Sequence, residues 1–501
     1  MRFRRHMGAK EEFMDRVNDL YRFEAIQGHL GWDQETIMPA KGAKARGDIL
    51  AWLAGQRHGR LIDEKMGTLI SNLESETHDD FFTANLKEMR RKYDEAVKLP
   101  TEFVSQYTMA RSEALIAWQK ARSESDFSQF AHHLQILIDL TKQKIEYLGC
   151  EHTPYDVLLD EYEIGMTVDD YDPLFAGLKA RLVPLLSQIM DSDVVIPRLP
   201  EEMEFPVDAQ ESFCNKVSQA MGFDFEAGRM DRSTHPFCAG LWPDDTRFTT
   251  RFDEKDPFSC LYAVMHEAGH GLYEQGLPRD YSFSPVGGAV SLGVHESQSR
   301  FWENQIGRTA AFWHIAMPWF REQFPDCPDW SNEVLDLVAN EVKPDFIRVE
   351  ADEVTYNLHI MIRYEIEKMI FNEGLKVEDI PATWNKMMKD WFGIDVPNDS
   401  LGCLQDIHWS MGAFGYFPTY TLGNLYAAQL LQTMSQELGD IDEIIKSGDW
   451  SSMLIWLRDK IHTKGSVVTP SELIELATGS PPSPEPFLNY VEAKYSKLYN
   501  L

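Results

Sequence analysis

The stretch DPFSCLYAVMHEAGHGLYEQGLP, residues 256–278, decides how the rest of the chain is interpreted. Asp256 followed by Pro257 is a typical helix start, because Asp caps free N–H groups and Pro fits the first turn. Gly276 and Pro278 are typical of a helix end. Apolar residues at three-to-four spacing fill the interval. The stretch therefore predicts a single helix with an apolar face.

Within this helix, HEAGH (266–270) places His266 and His270 four residues apart. Residues at that spacing lie one above the other on one helix face, so both imidazoles can reach the same zinc ion. Glu267 follows the first histidine and can act as the base on an attacking water. The competing interpretation is an acidic helix that carries two half-exposed histidines.

A third ligand is needed, because a catalytic zinc takes three protein groups. The next histidine of an HExxHxxGxxH pattern is absent, since Gly276 holds that position. Our candidate is Glu296, in VHESQSRFWEN (294–304), at the start of a further apolar-periodic helix. Glu296 could instead be solvated or pair with Arg300 at i, i+4. His295 is a weaker candidate, because neighbours on a helix point about 100° apart.

Two short segments upstream of this helix carry polar groups in a strand-like context. THPF contains His235, and DTRFT (245–249) contains Arg247. A single histidine or arginine in a strand is more often structural than functional. Both nevertheless stay candidates for substrate contacts, because the segments directly precede the HEAGH helix.

IRVEAD (347–352) carries Arg348 and Asp352 at the head of a helix predicted over 345–372. One interpretation is an ion pair on the helix surface, at i, i+4. The other is a guanidinium that grips a substrate carboxylate with two parallel hydrogen bonds.

The segment GCLQDIHWSMGAFGYFPTYTLGN (402–424) differs from the helices around it. It combines four closely spaced glycines with aromatic residues and includes Asp406, His408 and Tyr420. Core packing explains the aromatics but not the DxH pattern among glycines. We therefore predict a shaped loop beside a pocket.

The composition excludes several classes of function. The 501 residues contain 48 Lys and Arg against 80 Asp and Glu, a net charge of −32, which disfavours nucleic acid or an anionic membrane as the main partner. No apolar run approaches the length of a membrane span. The basic start lacks the apolar region of a Sec signal, and six widely spaced cysteines indicate reduced thiols. We expect a cytoplasmic protein.

Periodicity predicts a mainly helical fold with a small antiparallel sheet in the middle of the chain. The predicted strands are THPFC (234–238) and RFTTRF (247–252), and the Gly-rich 284–293 is a strand or a loop. We divide the chain into a helical half, 1–200, and a chemical half, 201–501, and expect them to pack as one body.

These motifs together resemble the carboxypeptidase Taq family of metallocarboxypeptidases, a branch of the gluzincins. The residues that carry the resemblance span nearly the whole chain in family order: LGWDQETIMP (30–39), YDVLLDEYEIGMT (155–167), HPF (235–237), DTRFT (245–249), HEAGH (266–270), HESQSR (295–300), IRVEAD (347–352) and GCLQDIHW (402–409). The resemblance implies a helical body with a long deep groove, a small sheet at its floor, and residues 1–200 as one wall or lid.

The resemblance also implies roles for individual residues. It makes His266, His270 and Glu296 the metal ligands and Glu267 the general base. It implies that Arg348 recognises the terminal carboxylate of the substrate. The remaining implied site residues are Tyr420 near the tetrahedral intermediate and His408, His235 and Arg247 along the substrate.

We therefore expect a carboxypeptidase that binds one Zn²⁺ per chain, with Co²⁺ possible, and releases single C-terminal residues from peptides. The resemblance further implies a homodimer. An aminopeptidase of this clan would need an acidic anchor in a GxMEN strand, which the chain lacks. An endopeptidase would not need Arg348, and a non-catalytic helical scaffold would not need the intact HEAGH set.

Overall fold

The computed structural model describes residues 8–501, so most of the basic start, residues 1–7, lies outside the described residues. The described chain agrees with the predicted, mainly helical class. Its α-helices are α1 (Ala9–Thr36), α2 (Ala43–Leu61), α3 (Glu64–Leu73), α4 (Asp80–Lys98), α5 (Thr101–Glu124), α6 (Ser128–Leu148), α7 (Pro154–Leu159), α8 (Val168–Met190), α9 (Val207–Met221), α10 (Pro257–Gly276), α11 (Leu292–Arg300), α12 (Ala310–Gln323), α13 (Asn332–Ala339), α14 (Tyr356–Lys368), α15 (Ile380–Phe392), α16 (Pro418–Leu438), α17 (Ile441–Ser447), α18 (Ser451–Lys460), α19 (Pro470–Thr478) and α20 (Glu485–Tyr499).

The small sheet is mixed, not purely antiparallel as predicted. Its strands are β1 (Gly228–Arg232), β2 (Cys238–Trp242) and β3 (Asp245–Thr250), in the order β1-β3-β2. β3 pairs antiparallel with β2 and parallel with β1. The predicted strand over 234–238 is wrong, because the hairpin strand begins only at Cys238. β1 escaped prediction because GRMDR has none of the β-branched or aromatic residues that mark strands.

Buried apolar side chains form two separate cores. The smaller one joins α1, α3 and α4 through residues such as Phe13, Ile70 and Phe82. The larger one extends from Phe103 to Tyr499 and includes side chains of α5 to α8. The division at residue 200 stays a prediction. Among the described helices, none is both long and apolar enough to cross a bilayer.

Helix α10 has the predicted bounds, and the Asp256 side chain accepts hydrogen bonds from the first free N–H groups. Helix α11 lies between α10 and α16, and both contacts require glycine. A Cβ on Gly269 of α10 would lie 2.7 Å from the Gln298 carbonyl oxygen, and a Cβ on Gly423 of α16 would collide with the Glu296 side chain. These glycines allow the three helix axes to approach closely. Glu296 is thereby held beside the HEAGH face.

The predicted helix over 345–372 is wrong in its first third. Arg348 lies in a 3₁₀ turn, Arg348–Glu350, and α14 begins at Tyr356. The Asp352 carboxylate accepts backbone N–H groups of Lys343 and Thr355, which ends any helix running toward Arg348. The surface ion pair between Arg348 and Asp352 is therefore absent. The Gly-rich 284–293 is loop with one 3₁₀ turn, apart from the first residues of α11.

Candidate active site

Helices α10 and α11 bring His266, His270 and Glu296 together, and we call these residues the metal triad. The Glu296 Oε2 atom lies 3.7 Å from His266 Nε2 and 3.5 Å from His270 Nε2. One ligand atom from each residue lies within 4.8 Å of the others. Two imidazoles and one carboxylate are a donor set that suits zinc and related transition metals.

Hydrogen bonding on the far side of His266 fixes its orientation. Its Nδ1 lies 2.9 Å from the Glu303 carboxylate, which only accepts, so Nδ1 carries the proton. The Nε2 lone pair is therefore left toward the triad. Burial alone would raise the pKa of Glu303, but contacts with Arg300 and Arg308 hold it well below the usual range. A charged carboxylate behind a ligating histidine strengthens the nitrogen as a donor.

His270 is oriented through a longer chain of hydrogen bonds. Its Nδ1 lies 2.6 Å from Nδ1 of His295, and the His295 Nε2 lies 2.7 Å from the Glu274 carboxylate. Glu274 can only accept, so His295 donates to it and accepts from His270. The Nε2 atom of His270 therefore also carries no hydrogen, and its lone pair faces the other two triad residues. Burial lowers the pKa of His270 to about 3, with His295 adding to the effect, so His270 is neutral. His295 supports a triad residue and is not a member.

Glu296 divides its two oxygens between two neighbours. Oε1 accepts a 2.7 Å hydrogen bond from Arg300 Nε, while Oε2 faces the histidines. Burial would raise the pKa of Glu296, but the Arg300 guanidinium and His266 hold it well below its usual range. The two interpretations of Glu296, an Arg300 partner and a triad residue, are thus compatible. The ion pair with Arg300 keeps the Glu296 carboxylate ionised and keeps Oε2 directed at the two imidazoles.

Glu267 is buried on α10, beside the metal triad but outside it. Burial raises the pKa of its carboxyl to about 7. Of the side-chain hydrogen bonds in the described residues, none involves Glu267. Its carboxyl is therefore free to act on a proton near the triad.

A second buried group of charges surrounds Arg348, and we call Arg348, Asp406 and Arg363 the arginine cluster. Asp406 Oδ1 accepts from Arg348 Nε at 3.0 Å and Nη2 at 2.8 Å. Asp406 Oδ2 accepts from Arg363 Nε at 2.7 Å. The Gln405 side chain accepts the Arg348 backbone N–H at 2.9 Å. These contacts fix the Arg348 turn against the 402–424 segment.

Segment 402–424 brings His408 and Tyr420 to this cluster. It is loop and 3₁₀ turn as far as Phe417, but the loop prediction is wrong from Pro418, where α16 begins, so Tyr420 lies on a helix. His408 Nε2 lies 3.3 Å from the Tyr420 hydroxyl, and its Nδ1 has no partner within residues 8–501. The Arg348 guanidinium lies 4.8 Å from the centre of the Tyr420 ring. Burial lowers the pKa of His408 to about 3 despite Asp406, so its imidazole is neutral. Tyr420 is also three residues from Gly423, which touches Glu296.

Tyr356, the first residue of α14, joins the metal triad to the arginine cluster. The Arg300 guanidinium lies over its ring at 4.4 Å, and its hydroxyl accepts from Arg348 Nη1 at 3.0 Å. Arg300 in turn holds Glu296. The two groups of charges therefore flank one aromatic ring and belong to a single site.

His235 and Arg247 belong to the sheet region that precedes α10 in the chain. His235 is exposed in the loop between β1 and β2, where its carbonyl accepts from Ser233. Arg247 on β3 pairs with Asp245 at 2.7 Å and lies 4.4 Å from the Trp32 ring of α1. No hydrogen bond in the described residues joins either side chain to the metal triad or the arginine cluster.

Three supporting residues were missed by our interpretation, although two of them had a signal in the sequence. Glu303 is seven residues after Glu296, and Glu274 is four after His270, so both share a helix face with a triad residue. The chain after α11 continues as a π-helical segment, Phe301–Gly307, which carries Glu303. Arg363 is seven residues after Tyr356 on α14 but had no visible partner, because Asp406 is 43 residues away in sequence.

Comparison with known proteins shows the family and the fold. A sequence model of the carboxypeptidase Taq (M32) metallopeptidase family matches residues 12–495. The chain is 42% identical over 485 residues to thermostable carboxypeptidase 1 of Thermus thermophilus, covering 93% of this chain and 94% of that protein. It is 38% identical to carboxypeptidase 1 of Bacillus subtilis, covering 98% and 99%. The crystal structure of the M32 carboxypeptidase from Deinococcus radiodurans has a TM-score of 0.95 at 35% identity, covering 98% and 100%.

Proposed function

The chain belongs to the carboxypeptidase Taq (M32) metallopeptidase family and is a metallocarboxypeptidase, and we propose that His266, His270 and Glu296 hold its metal. The proposal rests on the three ligand atoms within 4.8 Å of one another and on the hydrogen bonds that orient both imidazoles. We propose one Zn²⁺ per chain, since two nitrogens and one carboxylate are a frequent catalytic zinc set; Co²⁺ suits the same donors.

When bound, such an ion supplies Lewis acidity to the scissile carbonyl and to the attacking water. Glu267 takes the proton of that water and passes it to the leaving amine, a role that suits a buried carboxyl beside the triad. Tyr420 donates its hydroxyl hydrogen to the oxygen that gains charge, and the neutral His408 holds that hydroxyl.

Arg348 makes the enzyme specific for chain ends. Its guanidinium receives the terminal carboxylate of the peptide, and Tyr356 sets the distance between this contact and Glu296 through Arg300. A planar guanidinium suits a carboxylate because two parallel N–H groups match its two oxygens. His235 and Arg247 contact the substrate farther from the scissile bond, Arg247 from beside Trp32 of α1.

The observation that carries the exopeptidase assignment is the proximity of the arginine cluster to the metal triad across Tyr356. The test compares one peptide as free acid, C-terminal amide and N-acetyl derivative. We expect the free acid and its N-acetyl form to be cut alike and the amide to be largely uncut. Arg348→Ala should lower kcat/KM for free acids by about 10- to 150-fold with metal retained. Equal cleavage of acid and amide would contradict the assignment.

The biological setting is also a proposal. All six cysteines are free, which favours a cytoplasmic location. The net charge of −32 supports peptides rather than nucleic acid or membrane as partners. The family resemblance supports a homodimer, the commonest closed assembly. Light scattering at micromolar concentration should give twice 57.7 kDa, and a mass near 57.7 kDa would reject the dimer.

A further inference from the structure

The donors of Arg348 can be counted, because a guanidinium carries five N–H groups. Two of them, on Nε and Nη2, go to Asp406 Oδ1, and one on Nη1 goes to the Tyr356 hydroxyl. One N–H on Nη1 and one on Nη2 remain, and N–H groups on both terminal nitrogens of a guanidinium can bind one carboxylate. Any role of a neighbouring residue in this contact rests on the proposed function of Arg348.

Free donors alone do not ensure that Arg348 attracts a carboxylate, because the net charge around it also matters. Asp406 carries the same charge as the substrate carboxylate and binds the same guanidinium. Arg348 and Asp406 alone would therefore form a neutral pair, which attracts an anion only weakly. The second oxygen of Asp406 is taken by Arg363, whose Nε donates at 2.7 Å and whose Nη2 lies 2.6 Å away. Two guanidiniums and one carboxylate leave the arginine cluster with a net charge of +1.

Within residues 8–501, no group next to Asp406 other than the two arginines supplies this positive charge. Burial lowers the pKa of His408 to about 3 and that of His359 well below its usual value, so both imidazoles are neutral. Burial also lowers the pKa of Arg363, but only to about 10, so this guanidinium is charged at neutral pH.

Arg363 is too deep to touch substrate. Its side chain is 0% exposed, and its guanidinium lies 4.4 Å from the Trp384 ring while Nη1 donates to the His359 carbonyl at 2.6 Å. Burying an arginine costs several kcal/mol, and apolar residues often replace buried ion pairs without loss of stability. Stability alone therefore does not explain an arginine at this position.

We propose that Arg363 is a positioning residue for peptide hydrolysis: by binding one oxygen of Asp406, it leaves Arg348 oriented and net positive for the terminal carboxylate of the substrate. Arg363 acts on substrate binding and not on the chemical step. It should therefore affect KM for free acids much more than kcat, and it should affect metal binding little.

The test uses the metal-loaded enzyme and a matched pair of variants. Arg363→Gln keeps a hydrogen-bond donor for Asp406 but removes the charge, whereas Arg363→Lys keeps the charge. We expect Arg363→Gln to raise KM for a free-acid peptide at least about tenfold with kcat within about threefold. Arg363→Lys should stay within about fivefold of the wild-type KM. Calorimetry with N-acetylphenylalanine and its amide measures the same difference without turnover.

A second substitution restores the charge balance. In Arg363→Gln/Asp406→Asn the cluster returns to +1, and the amide oxygen introduced by the second substitution can still accept from Arg348. We expect this double variant to recover most of the KM lost in Arg363→Gln. The control is Lys494→Met, which removes a different buried ion pair, with Glu353 at 2.9 Å, and should leave KM unchanged. Metal content and circular dichroism check the fold of each variant.

Two results would overturn the inference: a wild-type KM in Arg363→Gln, or an equal loss in the single and double variants. If Arg363→Gln does not fold, Arg363→Lys and the double variant decide, since a rise in KM of more than about tenfold in either, with metal retained, contradicts the charge argument. Failure of the proposed function looks different. In that case Arg348→Ala has no effect on KM, or amides are cut as fast as acids.

Discussion

The metal triad and the arginine cluster are each built around one shared carboxylate, yet they suit opposite charges. Glu296 gives one oxygen to Arg300 and leaves the other to face two imidazole nitrogens. Asp406 gives one oxygen to Arg348 and the other to Arg363. A carboxylate with one guanidinium keeps a free oxygen for a cation. A carboxylate with two has no free oxygen, and the surplus N–H groups are left for an anion.

Under the proposed role of Arg348, the comparison explains how a chain with a net charge of −32 can accept an anionic chain end. Overall charge acts through solvent and is screened within about 10 Å at moderate salt, whereas buried groups in contact are screened far less. We therefore expect the local charge balance around Asp406 to outweigh the charge of the acidic surface. Tyr356 lies between the arginine cluster and the metal triad, so that the two oppositely charged sites are neighbours while Arg348 and Glu296 stay out of direct contact.

The largest expected effect comes from removing the two histidines of the metal triad, the site that suits a cation. His266→Ala/His270→Ala removes both nitrogens and leaves a single carboxylate, which cannot hold a transition metal alone. We expect metal analysis to fall from about one ion per chain to near zero, turnover to vanish, and the melting temperature to approach that of the metal-free wild type. Stoichiometric metal in the double variant would refute the triad.

The next largest effect distinguishes proton transfer by Glu267 from metal binding by the adjacent metal triad. Glu267→Gln is nearly isosteric and leaves the triad intact, so metal content should stay at the wild-type level. The amide cannot take a proton, and we expect kcat to fall at least about 100-fold. Turnover close to wild type, measured on the same metal-loaded preparation, would mean that another residue serves as the base.

A smaller effect tests the carboxylate behind His266. Glu303→Gln removes the charge that polarises the Nδ1–H of His266, and we expect metal affinity to fall about 10- to 100-fold in chelator competition. Glu443→Gln is the control, because the Glu443 side chain pairs with Lys446 on the exposed surface and its substitution should not alter affinity. Unchanged affinity in Glu303→Gln would leave Glu303 as a structural partner of Arg308.

The smallest effect concerns the support of the arginine cluster. Glu367 is buried beneath the 402–424 segment and accepts from Tyr155, Trp409 and the Gly415 backbone. Glu367→Gln leaves one of these donors facing an NH₂ group, and we expect a loss of about 1–3 kcal/mol in the free energy of unfolding. Metal affinity should not change, since Glu367 has no contact with the triad.

The difference in unfolding free energy between wild type and Glu367→Gln should depend on pH, which tests the role of Glu367 more sharply. Burial raises the pKa of Glu367 from 4.5 to about 7, so between these two pH values the folded form holds a proton that the unfolded chain releases. Its contribution to stability is therefore fully present below about pH 4.5 and is lost as the pH rises through about 7. The stability difference between wild type and Glu367→Gln, measured in urea at pH 5 and pH 8, should shrink at the higher pH. A stability difference that does not change with pH would contradict the raised pKa of Glu367.

Local patterns predicted some elements well. Helix α10 has its predicted bounds because its cap, periodicity and stop all lie within one stretch of sequence. The mainly helical class and the family assignment from motifs are confirmed. The helix over 345–372 was predicted wrongly because Asp352 binds backbone N–H groups and competes with helical hydrogen bonds, which periodicity does not detect. The parallel strand β1 was missed because its pairing with β3 is set by tertiary contacts.

The sequence by itself determined the HEAGH helix, the chemical types of the candidate ligands and the family, since these depend on spacing within short segments or on motif order. Only the tertiary structure decided which carboxylate shares which guanidinium. Arg348 pairs with Asp406, not Asp352, and Asp406 also binds Arg363, because α14 and the 402–424 segment meet in the core. Partners 43 and 58 residues apart leave no periodic signal, and the net charge at a buried site depends on contacts across the fold, not on composition.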